Sequence, residues 1–281
     1  GDHPIITELP QPKGAVTALA LDALLENLYV GTADGQVVHV ALSETESPEM
    51  RAAYTVAASS TAVTTLGFLS GDRSLVVMSE DGAVSTWGLV RRADAPSGWK
   101  LTQIHTLRPH NAPVTAFAPS QRVKGFVTGD MKGNLFLHHA TSSQTLLRLA
   151  NSEFPIRAVA FAPKGDGLIA LDGAGQLSLY QVQNAYPEVT LETLFVKVWY
   201  EGYDQPAHVW QSSSGSDDVE PKLGLLPLAF GTLKGTMYAL FLAVPIAILA
   251  AMCTSQFMHQ DLRAKIKPII EVMAALPTVV L

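Results

Sequence analysis

A single cysteine, Cys253, occurs in 281 residues, so no intrachain disulfide can form and cysteine usage says nothing of the redox compartment. Charge is scarce as well: 19 Lys and Arg stand against 25 Asp and Glu, for a net charge of −6. No long basic run occurs, which excludes nucleic acid as an expected partner. The chain has no Gly-x-x-x-x-Gly-Lys-Ser/Thr loop to cradle a nucleotide phosphate, and no Gly-x-Ser-x-Gly elbow to present a nucleophile. His138 and His139 are neighbours on an expected strand and so point to opposite faces, an arrangement unsuited to a shared metal. No catalytic residue, metal site or cofactor is expected, and the chain reads as a non-enzyme. It does not open on a signal peptide; Gly1-Asp2-His3-Pro4 looks like the start left by cutting a longer protein and does not enter the fold reasoning.

What the sequence does have is one long apolar run. Gly235 to Thr254 contains no charge, and twenty helical residues at about 1.5 Å each span roughly the 30 Å of a bilayer's hydrocarbon core. No face at helical spacing is polar, as a soluble helix would require. Pro245 sits in the middle, where lipid tolerates it better than a soluble helix does. A polar loop with Arg263, Lys265 and Lys267 follows, and a second apolar run starts at Pro268 and is still apolar at Leu281. That second run is expected to be another membrane segment, so that the chain ends inside the membrane. Leu225 to Leu233, broken by Pro227 and Gly231, reads either as an interfacial elbow or as an extension of the first helix.

The first two hundred residues repeat. Segments starting at Ala15, Ala62, Pro113 and Pro155 align without gaps. Counting from Val16, Val63, Val114 and Ile156, an apolar residue recurs three and thirteen positions on, and nineteen on stands a glycine: Gly35, Gly82, Gly133 and Gly175. Each unit reads as three short strands with a tight hairpin at that glycine, which accepts the positive φ such turns demand. Asp130 and Asp172 share a blade position with Thr32 and Ser79, where a short polar side chain caps a turn. A β-rich run follows each unit: Met50 to Ala58, Trp99 to Leu107, Gln144 to Ala150 and Val189 to Tyr200. Four strands per repeat, with starts 47, 51 and 42 residues apart, is the arithmetic of a β-propeller blade. The fold class expected is therefore all-β, with blades near 15–58, 62–107, 113–150 and 155–200 in a domain of residues 1–204, followed by transmembrane α-helix. The units resemble WD40-type blades, although the Trp-Asp pair is missing and Trp87 or Tyr180 takes a comparable late-strand place. Four blades is the low end for a closed ring, so further blades are expected upstream in a parent protein.

Residues 205–223, with the Ser/Gly/Asp tract from Ser212 to Asp218, read as a linker, and 224–281 as the start of a membrane domain. Here a second resemblance enters, carried by Pro227 to Leu233, by Ala-Val-Pro-Ile-Ala at Ala243 to Ala247, and by Ile270 to Val280. These stretches resemble the membrane part of the permease subunits of phosphate ABC importers (PstC-type), over about sixty residues. The resemblance implies a second permease subunit, ATP-binding subunits and a phosphate-binding protein as partners, a bilayer around the helices, and a bacterial inner-membrane location with the propeller outside. The run Glu271 to Ala275 is not the family's ATPase-docking motif, since it opens the next membrane segment. Glu271 and Pro277 are the candidates for a pathway or helix-break role, weighed against an interfacial carboxylate and an ordinary kink. Cations after the span and acids before it place the propeller extracytoplasmically.

Overall fold

The computed structural model describes residues 8–42, 48–58, 60–95, 97–150, 152–183, 186–212 and 219–275. Blade 1 is a meander of β1 (Val16–Leu21), β2 (Asn27–Thr32), β3 (Gln36–Ala41) and β4 (Glu49–Thr55). Blade 2 repeats it with β5 (Val63–Phe68), β6 (Ser74–Ser79), β7 (Val84–Arg91) and β8 (Trp99–Thr106). Blade 3 has β9 (Val114–Pro119), β10 (Gly125–Asp130), β11 (Asn134–His139) and β12 (Gln144–Ala150). Among the described residues blade 4 has three strands, β13 (Ile156–Phe161), β14 (Gly167–Asp172) and β15 (Leu177–Gln181).

Every neighbouring pair is antiparallel, and the second and third strands of each blade turn at the aligned glycine. Gly35, Gly82, Gly133 and Gly175 have φ of 76°, 84°, 80° and 84°, the left-handed region a β-carbon resists. Near the start of each blade the pairing shifts by one residue, as between Val16 and Ala18 or Val63 and Thr65. These bulges turn a threonine towards the next blade: Thr17 Oγ1 donates to the Val63 carbonyl at 2.6 Å and Thr115 Oγ1 to the Ile156 carbonyl at 2.5 Å.

Blades pack face to face, and three of the four core clusters lie between them, the fourth (Leu28, Val30, Val38 and Val40) within blade 1. Tyr29 and Val37 of blade 1 meet Val63, Leu66 and Val77 of blade 2. Val76 and Met78 meet Val114 and Phe126, and Val127 and Leu135 meet Ile156 and Leu168. The close approach needs a missing side chain at Gly129, whose added β-carbon would lie 2.5 Å from Ile156 Cγ2. Innermost strands pack in sequence, β1 on β5, β5 on β9 and β9 on β13, with no comparable packing of β13 on β1. The four blades form an open arc.

Two expectations are corrected. Val189 to Tyr200 is not the fourth strand of blade 4: α1 (Leu191–Phe195) starts there under a capping box, Thr190 Oγ1 accepting from Thr193 N and Thr193 Oγ1 accepting from Thr190 N, and only a bridge from Val198 to Ala207 follows. The described parts of residues 205–223 are not simply a linker, because β16 (Trp210–Gln211) pairs with β17 (Lys222–Leu223), and Glu220 and Lys222 are buried, while 213–218 of the Ser/Gly/Asp tract lie outside the described residues. The compact propeller unit runs to Leu225.

The second unit starts at Leu226. Its helix α2 (Leu226–Met252) begins nine residues before the expected span, so the Leu225 to Leu233 stretch is an extension of the helix. A π-helical turn, Cys253–Phe257, closes it, and Leu226–Phe257 is the one described helix long and apolar enough to cross a membrane. As far as Ala275 the run from Pro268 belongs to α3 (Gln260–Ala275), an amphipathic helix in which Pro268 is interior, and its continuation over 276–281 lies outside the described residues.

Candidate functional site

The aspartates expected to cap turns do so. Asp130 Oδ1 accepts from the backbone N–H of Lys132 and of Asn134, each at 2.9 Å, and Asp172 Oδ1 accepts from Ala174 N and Gln176 N. In blade 3 the other carboxylate oxygen opens a longer chain. His110, on the loop between β8 and β9, donates from Nδ1 to Asp130 Oδ2 at 2.9 Å. Its Nε2 then accepts from Thr128 Oγ1 at 2.7 Å, Thr128 accepts from His138 Nε2 at 3.0 Å, and His138 Nδ1 accepts from Thr145 Oγ1 at 3.0 Å. This single set of tautomers satisfies every group with both imidazoles neutral. His110, Thr128, Asp130 and His138 are all buried, and Phe136 stacks on His110 with centroids 3.9 Å apart. Burial pushes the His110 pKa down against the pull of Asp130, and burial likewise takes His138 to about 3. A buried, fully bonded relay of this kind fixes strands in place.

A different arrangement surrounds a cavity of about 270 Å³ beside blade 2. Trp87, Trp99, Trp199 and Tyr203 supply its apolar walls, and Asp72 and Arg73 reach its rim. On its floor Lys124, from the turn before β10, pairs with Glu201 at 2.7 Å, the two side chains 3% and 11% exposed. Lys124 also donates to the Ser70 carbonyl, and Ser74 Oγ donates to Glu201 Oε1 at 2.6 Å. Glu220 accepts from the Glu201 backbone N–H at 2.6 Å and from the Thr141 hydroxyl. Burial first, and the Glu201 charge second, raise the Glu220 pKa.

Residues 199–212 and 219–223 therefore lie as a strap against blades 2 and 3. Further ties are His105 Nε2 donating to the Trp199 carbonyl at 3.1 Å, and Arg91 N donating to Asp204 Oδ1 at 3.0 Å. Lys222 sits over the rings of Tyr200 and Tyr203 at 5.9 and 5.8 Å. Through Lys124, Ser74 and Thr141 the cluster fastens the strap's Glu201 and Glu220 to blades 2 and 3. No group of three or more potential metal-ligating His, Cys, Asp or Glu side chains occurs among the described residues.

The residues singled out from sequence are scattered. The four glycines occupy equivalent hairpins. His138 and His139 are buried with separate partners, His139 Nδ1 to Ser142 Oγ at 2.9 Å. Glu271 lies on α3, exposed, 3.8 Å from Lys267 one turn earlier, and Pro277 is outside the described residues. Arg263 was read only as a loop cation. It donates from Nε to the Thr254 carbonyl at 2.9 Å and reaches the Ser255 carbonyl, satisfying groups freed where α2 ends. Lys124, Glu201 and Glu220 had no signal in the sequence, being far apart and outside the repeat positions.

No family model and no curated protein matches the chain. Solved structures do. The computationally designed Ika4 protein is 20% identical with a TM-score of 0.52, over 65% of this chain and 100% of its own. The designed Ika8 protein is 21% identical with a TM-score of 0.51, over 62% of this chain and 48% of its own. The Cps50 (Swd1) β-propeller domain of Myceliophteria thermophila is 17% identical with a TM-score of 0.51, over 60% of this chain and 51% of its own. The matched region thus spans about half the length of two of these neighbours. Blades, hairpins and neighbours agree: the first unit has a β-propeller fold, and one apolar helix of membrane-spanning length follows it.

Proposed function

We propose that the chain is the extracytoplasmic propeller, with the first membrane-crossing part, of a phosphate ABC importer permease, the propeller serving as a docking platform. One observation carries the reading: Leu226–Phe257 is helical for 32 residues, long enough for the roughly 30 Å hydrocarbon core. Lys234 is its only charge and none of α2 is buried within the chain, so its surface calls for lipid or other membrane helices. What supports the transporter reading is the resemblance of Pro227 to Leu233, Ala243 to Ala247 and Ile270 to Val280 to such permeases. A chain without a phosphate loop would rely on separate ATP-binding subunits for hydrolysis, with a second permease subunit and a phosphate-binding protein completing the importer. Arg263, Lys265 and Lys267 follow the span, so the positive-inside tendency puts them in the cytoplasm and the propeller across the bacterial inner membrane.

In a Cys253→Ala background, Ser212→Cys should react with an impermeant maleimide on cells with a permeable outer envelope, and Gln260→Cys should not. The reverse pattern puts the propeller in the cytosol and overturns the proposal. Deleting the gene should lower phosphate uptake by phosphate-limited cells; unchanged uptake overturns the substrate.

A further inference from the structure

The cavity beside blade 2 keeps bonding capacity that the fastening of the strap does not use. Tyr29, on β2, is 3% exposed and lines it, and its hydroxyl forms no hydrogen bond among the described residues. That oxygen is not among the unpartnered atoms that protein seals off completely, so a molecule in the cavity can reach it. Its place is fixed, because the ring stacks on His39 with centroids 4.7 Å apart and meets Phe68 edge-on at 5.7 Å. At the rim, Asp72 uses Oδ2 to accept from the Ala23 N–H at 2.9 Å and keeps Oδ1 free. Arg73 beside it has neither a hydrogen bond nor an ion pair among the described residues. A buried hydroxyl left without a partner costs stability that an occupant with a matching group recovers.

The walls and the free groups together define the occupant. Trp87 Nε1 donates to Ser85 Oγ and Trp199 Nε1 to the Tyr203 carbonyl, each at 2.8 Å, so these indoles spend their N–H groups within the protein and offer carbon to the cavity. Among the free groups, a hydroxyl both donates and accepts, a guanidinium only donates and a carboxylate oxygen only accepts. An anion would be repelled by Asp72 and by Glu201 below it, and a cation by Arg73 and Lys124. A neutral molecule that donates as well as accepts, and that has an apolar face for the tryptophans, satisfies all of them. The cavity of about 270 Å³ has the room of roughly nine waters at about 30 Å³ each, which one six-membered ring with its hydroxyls fills.

We propose that this cavity is a binding site for a neutral sugar, a single pyranose ring whose C–H face lies against the tryptophan walls and whose hydroxyls bond to Tyr29, Asp72 and Arg73. The aromatic surfaces supply dispersion contact to the ring carbons, and the three polar groups orient the hydroxyls. Blade 1 contributes Tyr29, blade 2 contributes Trp87, Asp72 and Arg73, and the strap contributes Trp199, so the bound sugar touches all three.

The test titrates the full chain, in a detergent without a sugar headgroup, with glucose, galactose, mannose and N-acetylglucosamine. Three of the chain's four tryptophans line the cavity, so binding should change the intrinsic fluorescence, with calorimetry as the second readout. Saturable binding of at least one of the four sugars is expected. Tyr29→Phe removes only the free hydroxyl and should weaken that binding roughly five-fold, and Arg73→Gln should weaken it roughly ten-fold. Neither should move the thermal midpoint, because neither group has a partner to lose. No saturable binding of any of the four sugars overturns the proposal. So does equal affinity in Tyr29→Phe and Arg73→Gln. Choline and benzoate stand for the charged alternatives, and saturable binding of either one more tightly than every sugar assigns the cavity to a cation or an anion and overturns the proposal as well.

Discussion

Blades 3 and 4 share one sequence pattern and solve their central turn differently. A β-carbon added at Gly133 would lie 1.9 Å from the Ser152 carbonyl oxygen, whereas one at Gly175 would meet nothing within 4 Å. Both residues have positive φ. In blade 3 the loop leading to the next blade folds over the turn, and Ser152 N donates to the Gly133 carbonyl at 3.2 Å. Gly35 and Gly82 are covered in the same way, by the carbonyls of Ala58 and His110 at 2.6 and 2.4 Å. The glycine thus answers two demands, a backbone conformation and a close neighbour, and at Gly175 only the first is met among the described residues.

The sharpest way to break the comparison is to give both turns a branched side chain. Gly133→Val should cost about 4 kcal/mol or more, because strain at positive φ adds to a clash with backbone that cannot step aside. Gly175→Val should cost about 1–2 kcal/mol, from the backbone alone. Thermal unfolding of the two variants measures the difference, and equal losses would dissolve the distinction.

Next in size is the relay beneath the blade 3 turn. Asp130→Ala leaves the Lys132 and Asn134 amides and the His110 Nδ1–H without their acceptor, a loss of about 2–4 kcal/mol by denaturant titration. The counterpart in blade 4 is shorter: Asp172 accepts from Ser152 Oγ at 2.6 Å and has no imidazole beyond it.

Histidine burial should give the propeller an acid limit concentrated around blades 2 and 3. Burial lowers His39, His105 and His139 from the ordinary 6.5 to about 4 and His138 to about 3. An unfolded chain takes up these protons first as pH drops below about 6.5, so stability present above that pH is lost progressively towards pH 4. Thermal midpoints that stay level from pH 7 to 4.5, or imidazole resonances titrating above pH 5.5 for these four, would contradict it.

The smallest effect falls on Asp172, whose pKa is lowered first by the Ser152 hydroxyl and then by the Gln176 N–H. Ser152→Ala should raise that pKa without unfolding the blade. The stability this carboxylate contributes above its unfolded pKa should then be lost at a higher pH on acidification, as carboxyl chemical shifts and midpoints would report.

How far the sequence could be read follows from the same contrast. Spacing to the four glycines was visible because a turn is local, and the blade cores followed from the alternation around it. Val189 to Tyr200 misled because its Thr, Val, Phe and Tyr content favours strand, while a capping box between Thr190 and Thr193 starts a helix. Pro268 marks the start of an apolar run in the sequence, yet the helix that contains it begins eight residues earlier, at Gln260. The Lys124, Glu201 and Glu220 cluster was out of reach, since pairing of residues so distant in the chain leaves no period and no motif. His110 was similarly hidden in an inter-blade loop.

The strap also decides where a pull on the chain would be felt. Leu225, the last residue before α2, donates its N–H to the Leu194 carbonyl at 2.8 Å, and just behind it β17 is zipped to β16. Tension arriving along the backbone from the helix meets this patch first and the Glu220 and Glu201 fastenings next, well before any blade strand is loaded. Peeling this segment away therefore first breaks its fastenings to blades 2 and 3.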